Sequence, residues 1–124
     1  DCKKAKRTNN IGLENNAFTV AGEGHISYKK INMGTGYYYF EVDIEKPTQN
    51  ARIEIRKGSS DGLLMGTLLI NNESTLKNSG KAQTFLREAN GTDDIYLVVK
   101  NPGNEMMKFS SPRFFGGSPK KINK

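Results

Sequence analysis

The stretch YYYFEVDI, residues 37–44, decides the fold class because its apolar and polar side chains alternate. Alternation at every second residue places successive side chains on opposite faces of a β-strand. The set expected to face the core is Tyr38, Phe40, Val42 and Ile44. The set expected to face solvent is Tyr37, Tyr39, Glu41 and Asp43. This stretch therefore predicts a half-buried strand.

Neighbouring segments extend the β pattern in both directions. Residues 51–56 (ARIEIR) alternate in the same way, with Ala51, Ile53 and Ile55 expected inside. Leu63–Ile70 is apolar at both alternating positions, which predicts a central strand. No segment keeps a helical period of 3.6 residues beyond two turns.

Shorter strands are predicted at residues 17–20, 25–31, 83–86, 95–100 and 106–115, with Pro112 marking an edge or irregularity in the last. The pairs Gly22/Gly24 and Gly34/Gly36 are interpreted as hairpin connections. Short strands separated by turn residues are typical of β-sandwiches. We expect an all-β fold, a β-sandwich or jelly roll of about eight short antiparallel strands.

Charge and length define the expected domain organisation. The chain has 124 residues and a formal charge of +6, from 19 basic and 13 acidic side chains. Residues 1–7 and 118–124 carry the whole excess, so we expect two basic tails around a sandwich formed by residues 8–117. A nucleic-acid-binding domain concentrates positive charge on its folded part. We therefore expect no nucleic-acid partner. No apolar run approaches the roughly 18 residues of a membrane span, so we expect no membrane partner either.

Catalytic groups are scarce in this sequence. His25 is the only histidine, Cys2 is the only cysteine, and no serine lies in a G-x-S-x-G motif. Asp93 and Asp94 are carboxylates of the kind that bind calcium, but such a pair more often forms a solvated turn. We expect no catalytic residue, no metal and no cofactor, and a small enzyme is the least favoured alternative.

Three stretches together resemble the family 6 carbohydrate-binding modules. They are ISYKKINMGTGYYYFEV (residues 26–42), IEIRKGSSDGLLMGTLLI (residues 53–70) and GTDDIYLVVK (residues 91–100). The resemblance implies a β-sandwich jelly roll that is attached to a secreted glycoside hydrolase and holds it on plant or algal polysaccharide.

The sequence departs from the family at its usual ligand and calcium positions. The resemblance implies a stacking Trp after the second stretch, but residues 71–82 contain no aromatic residue. Lys108 stands where the family has a sugar-binding Asn, and Ser110 where it has a calcium-binding Asp. Ala5-Lys6 replaces an Ala-Glu pair whose carboxylate binds the same calcium. The resemblance therefore implies no calcium at that site.

The expected function is that of a non-catalytic module that binds xylan- or β-glucan-type polysaccharide. Tyr28 and Tyr37 are the candidate stacking residues, and Lys108 and Asn104 the candidate hydrogen-bond donors. We expect a secreted or extracellular monomeric module, covalently linked to a catalytic domain. The alternative is a structural or docking sandwich of a multidomain glycoside hydrolase that has lost sugar binding.

Overall fold

The computed structural model describes residues 6–8, 11–34, 36–46, 51–70, 80–102 and 106–116, without the side chains of residues 37, 38, 46 and 116. Its elements are β1 (Lys6–Arg7), β2 (Ile11–Glu14), β3 (Ala17–Val20), β4 (Gly22–Asn32), β5 (Tyr37–Lys46), β6 (Ala51–Lys57), β7 (Leu63–Ile70), β8 (Lys81–Phe85), β9 (Thr92–Asn101) and β10 (Met107–Gly116). The all-β prediction is confirmed. The described part has ten strands rather than about eight, since β1 and β2 add to the expected set.

The strands form two five-stranded antiparallel sheets. The first sheet has the order β1-β4-β9-β6-β7, and the second has the order β2-β3-β10-β5-β8. Lys6 and Arg7, which the charge pattern placed in a basic tail, pair with Ser27 and Ile26 of β4. No helix in the described ranges is long and apolar enough to cross a membrane.

The core lies between the two sheets and is built from the alternating apolar positions. Phe40, Val42 and Ile44 of β5 are buried as predicted, and so are Ala51, Ile53 and Ile55 of β6. Phe18 and Phe109 meet across β3 and β10 with ring centroids 5.5 Å apart. On the other face of β5, Glu41 was expected in solvent but is only 5% exposed.

The prediction of a central position for β7 is wrong. This strand lies at the end of the first sheet, and its Leu69 side chain is 67% exposed. Ile55 pairs with Gly66 and Arg56 with Leu64, so Met65 is an extra residue on β7. An extra residue exchanges the inward and outward positions of a strand. Both Met65 and Leu68 therefore reach the core, which explains why the apolar residues do not simply alternate.

The irregularity predicted at Pro112 is present in β10. Ser110 pairs with Asp43 and Arg113 pairs with Glu41, so β10 uses three steps where β5 uses two. Ser111 adopts a positive φ of 53° at this point. As a result Phe109 and Phe114 both face inward, whereas Arg113 and Phe115 face outward with the second sheet's polar side chains.

The two glycine pairs do not form hairpins. Gly22 and Gly24 lie inside β4, opposite Asn101 and Val99 of β9. Gly34 and Gly36 lie between β4 and β5, which belong to different sheets. This connection carries the chain from the first sheet to the second. β4 and β5 therefore follow each other in the chain without pairing.

Gly66 on β7 offers a test of this packing. A Cβ atom there would lie 2.7 Å from the Phe85 carbonyl oxygen and 3.2 Å from Leu86 Cδ2. We expect Gly66→Ala to lower the free energy of unfolding by about 1–3 kcal/mol, because the strand must move away from its neighbour. Leu69→Ala on the same strand is the control and should change stability by less than about 0.5 kcal/mol. Equal denaturant stability of Gly66→Ala and the unsubstituted chain would contradict this packing.

Candidate functional site

Three aromatic side chains lie side by side on the outer face of the second sheet. Tyr39 of β5 pairs with Phe85 of β8 on one side and with Phe115 of β10 on the other. Paired residues of antiparallel strands project from the same face of the sheet. We call these three residues the aromatic platform.

The rings of the platform contact one another in two different geometries. Tyr39 stacks on Phe115 with a centroid distance of 4.9 Å and an interplanar angle of 21°. Phe85 meets Tyr39 edge to face at 6.4 Å and 76°. The Phe85 side chain is 78% exposed and, with Tyr39, Gln83 and Thr84, lines a groove of about 230 Å³. A large exposed ring held by neighbouring rings is unusual for solvent-facing surface, so this face is the candidate binding site.

A hydrogen-bonded cluster lies directly beside the platform. Glu41, two residues after Tyr39, accepts hydrogen bonds from Gln83 Nε2 of β8 and from Arg113 of β10. Arg113 Nη2 also donates to Asp43 Oδ1 at 3.0 Å. The cluster spans three neighbouring strands, so it fixes the side chains that border the rings.

The cluster keeps Glu41 ionised although its residue is buried. Burial alone would raise the pKa of Glu41, but hydrogen bonds from Gln83 and Arg113 and the positive charge of Arg113 outweigh it. The pKa of Glu41 is therefore below its ordinary value of 4.5. The hydrogen bond from Arg113 similarly lowers the pKa of Asp43. For Arg113 itself, burial would lower the pKa, but its two carboxylate partners raise it.

Further ion pairs continue the polar face toward the other end of the sheet. Lys81 Nζ lies 3.7 Å from Asp43 Oδ1. Lys108 Nζ lies 3.0 Å from Glu14 Oε1 and 3.8 Å from Glu45 Oε1. Glu45 follows Tyr39 by six residues, which is about 20 Å along a strand. The outer face therefore carries flat rings at one end and paired charges along the rest.

The sequence-predicted site residues do not come together. Lys108 lies on this outer face, at the end away from the platform. Tyr28 of β4 is instead partly buried, and with Phe40, Pro112 and Phe114 it lines a separate groove of about 250 Å³ between the sheets. Its hydroxyl oxygen is buried. Tyr37 begins β5, but its side chain and the whole of Asn104 lie outside the described residues.

Sequence reasoning did not select the platform residues, although part of the signal was visible. The alternation of residues 37–44 already placed Tyr39 and Glu41 on one face. Phe85 and Phe115 carry no such signal, because their neighbours depend on the pairing of β8 and β10 with β5. Which of Phe114 and Phe115 faces outward also depends on the irregularity near Pro112.

The carboxylates of Asp93 and Asp94 are paired with cations rather than grouped as metal ligands. Asp94 accepts a hydrogen bond from the Lys30 backbone N–H at 2.9 Å and lies 3.3 Å from Lys29 Nζ. Asp93 lies 4.0 Å from Lys57 Nζ. In the described ranges no three His, Cys, Asp or Glu side chains are grouped so that they could hold a metal ion.

A β-sandwich with exposed aromatic rings beside fixed hydrogen-bonding groups is suited to binding a ligand that has both apolar faces and polar edges. The comparisons agree with that class. Residues 3–114 match the model of the carbohydrate binding module family 6. The chain therefore belongs to this family of non-catalytic carbohydrate-binding modules, as its sequence motifs implied.

A xylanase relative and two solved modules are similar to this chain. Endo-1,4-beta-xylanase A of Thermoclostridium stercorarium is 28% identical over 97 residues, a match to 76% of this chain and 19% of that protein. The chain thus spans about a fifth of the length of this relative. A family 6 module from Clostridium cellulolyticum in complex with xylose has a TM-score of 0.76 at 21% identity, covering 92% of this chain and 93% of that chain.

A second solved module has the same fold. It comes from Clostridium stercorarium, in complex with cellobiose, and has a TM-score of 0.72 at 21% identity. The match covers 94% of this chain and 89% of that chain. Both comparisons place the two-sheet sandwich in a known architecture over almost its full length.

The Glu41 cluster gives a pH-dependent test. Because the pKa of Glu41 is lowered by folding, its ionised form stabilises the fold above about pH 4.5, and that contribution is lost as the pH falls through the folded pKa. We expect Glu41→Gln to be less stable at pH 7 by about 1–3 kcal/mol, because Arg113 loses a charged partner. The difference should shrink as the pH falls below about 4.5.

Denaturant unfolding across this pH range measures the effect. Glu45→Gln is the matched control on the same strand, since the Glu45 side chain is 46% exposed and its ion pair with Lys108 is long. It should change stability by less than about 0.5 kcal/mol. A stability difference for Glu41→Gln that stays constant from neutral to acid pH would contradict an ionised Glu41 bonded to Arg113.

Proposed function

We propose that this module binds xylan- or β-glucan-type polysaccharide on the outer face of the second sheet. The observation that carries the proposal is the aromatic platform, with Tyr39 and the exposed Phe85 beside the Glu41–Gln83–Arg113 cluster. The apolar face of a sugar ring stacks on these rings, and its hydroxyl groups exchange hydrogen bonds with the neighbouring polar side chains.

Charge balance on this face supports a neutral ligand. Four carboxylates on this face have a cation close to them: Arg113 lies against Glu41 and Asp43, and Lys108 lies against Glu14 and Glu45. Paired charges keep donors and acceptors in fixed positions without a strong net field. Hydroxyl groups of an uncharged polysaccharide match such a surface better than a charged ligand does.

The earlier candidate residues have different places in this proposal. Lys108 lies on the proposed face and serves as a donor at its far end, about 20 Å from Tyr39. Tyr28 stays a predicted stacking residue, in the groove between the sheets. Its hydroxyl is buried there, so less of its ring is available for stacking than of the Phe85 ring. Tyr37 and Asn104 also stay predictions.

The biological setting proposed is a secreted polysaccharide-degrading enzyme. Its catalytic domain is covalently linked to this module, which holds the enzyme on plant or algal cell-wall material as a monomeric unit. The xylanase relative and the solved modules with xylose and cellobiose support this setting. In this setting the module attaches the enzyme to the polysaccharide, and the linked domain degrades it.

The alternative, a sandwich that has lost sugar binding and serves as a docking surface, has less support. It requires a continuous apolar face, but Leu63 and Leu69 are exposed six residues apart on β7. The exposed rings Phe85 and Phe115 instead lie among hydrogen-bonding groups. We therefore favour a binding role for the platform.

Isothermal titration calorimetry with xylohexaose and cellohexaose tests the proposal. We expect binding of at least one of them, and a loss of affinity of about tenfold or more in Phe85→Ala and in Tyr39→Ala, because stacking is removed. Phe85→Trp should retain binding, since the larger ring offers the same flat surface.

Leu69→Ala is the control, since it removes an exposed apolar side chain from the other sheet. It should leave the affinity unchanged. Circular dichroism checks that every variant is folded. Unchanged affinity in both Phe85→Ala and Tyr39→Ala would place the site elsewhere, and failure of both sugars to bind would favour the docking alternative.

A further inference from the structure

A second groove lies on the outer face of the first sheet, on the opposite side of the sandwich from the platform. It has a volume of about 220 Å³. Its lining includes Lys6 and Arg7 of β1, His25, Ser27 and Lys29 of β4, and Tyr96 of β9. Nothing in the proposed polysaccharide site uses these residues.

Strand pairing aligns three of these side chains in one row. Ser27 pairs with Lys6 on one side and with Tyr96 on the other, so the three project from the same face. Ser27 is only 7% exposed and forms the floor between the lysine and the ring. The row therefore presents an ammonium group, a hydroxyl group and an aromatic ring next to one another.

The edge of the groove is firmly attached to the sheet. Thr8 donates its backbone N–H to the His25 carbonyl at 3.1 Å, and the His25 N–H donates to Thr8 Oγ1 at 3.2 Å. Arg7 Nε donates to the Ile11 carbonyl of β2 at 3.1 Å, which joins β1 to the second sheet as well. The backbone of Lys6 is thus held beside Ser27 of β4.

The groove carries excess positive charge. Lys29 lies 3.3 Å from Asp94 Oδ2, and its side chain is 55% exposed. Lys6 is exposed and forms no ion pair with a described residue. Lys6, Lys29 and the Arg7 guanidinium therefore line the groove, and Asp94 pairs with Lys29 beside it. In the sequence, Lys3 and Lys4 precede this strand and add to the basic character of the segment.

His25 adds a ring and a hydrogen-bonding group. Its ring centroid lies 5.6 Å from that of Tyr96, with an interplanar angle of 58°. Its Nδ1 atom is buried and has no hydrogen-bond partner among the described residues.

We propose that this groove is a separate binding site for an anionic saccharide, with Tyr96 contacting the sugar ring and Lys6 and Lys29 binding its carboxylate or sulfate group. An ammonium group binds such anions through charge-assisted hydrogen bonds. The aromatic ring distinguishes a sugar from a simple anion, because it offers a face for the apolar side of the ring. The site would let one module contact neutral and acidic polysaccharides on opposite faces.

Titration with tetragalacturonate, which carries carboxylates, and with a sulfated carrageenan tetrasaccharide tests the inference on the full chain. We expect binding of at least one, weakened about tenfold in the Lys6→Gln/Lys29→Gln double variant and also weakened in Tyr96→Ala. Backbone amide chemical shifts should change in β1, β4 and β9. Comparison of the two ligands identifies which anionic group the groove accepts.

Two controls separate this site from general attraction and from the proposed function. Lys120→Gln/Lys121→Gln removes the same charge from the C-terminal segment and should leave the affinity within about twofold. Phe85→Ala should not change tetragalacturonate binding, and Lys6→Gln/Lys29→Gln should not change xylohexaose binding.

Three outcomes would overturn the inference. The first is no binding of either anionic saccharide. The second is an equal loss in the Lys6→Gln/Lys29→Gln and Lys120→Gln/Lys121→Gln variants, which shows dependence on net charge alone. The third is a short single-stranded DNA of matched charge that binds as tightly and with the same response to the variants.

Discussion

The outer face of the second sheet depends on the hydrogen bonds between Arg113 of β10 and Glu41 of β5. Arg113 reaches Glu41 only because β10 takes an extra step between Ser110 and Arg113. The same step turns Phe114 inward against Phe40, at a centroid distance of 5.2 Å, and leaves Phe115 outward against Tyr39. One backbone irregularity thus completes the core and the aromatic platform together.

A buried carboxylate is costly unless it is paired and hydrogen-bonded, which explains why this cluster is so complete. Glu41 accepts from Gln83 on one neighbouring strand and from Arg113 on the other. Each partner comes from a different β-strand, so the cluster forms only when β8, β5 and β10 are in register. The cost of burying Glu41 is therefore offset only in the arrangement that also aligns Tyr39 with Phe85 and Phe115. Stability and ligand surface are linked through one carboxylate.

The sequence predicts individual strands well and their neighbours poorly. Alternation identified the buried face of β5, because the polarity of each residue reflects whether its own side chain is buried. The position of β7 was wrong because its apolar pattern does not come from burial on two sides. The extra residue brings both Met65 and Leu68 to the core, and Leu69 is apolar although it is 67% exposed. The platform was missed for a related reason, since Tyr39, Phe85 and Phe115 meet only through pairing between distant strands. The family resemblance supplied the fold and the class of ligand, but its usual stacking position has no aromatic residue here.

The pairing of β1 with β4 places part of the positive charge on the folded surface. The sequence placed the excess of six positive charges in two tails around a neutral sandwich. Lys6 and Arg7 are instead fixed beside β4, so part of that excess belongs to the folded surface. A fixed charge attracts an anion with less loss of conformational freedom than a charge on a flexible segment does. The two outer faces therefore differ around their aromatic side chains: paired charges border the stacked rings on one side, and Lys6 and the ion-paired Lys29 lie near Tyr96 on the other.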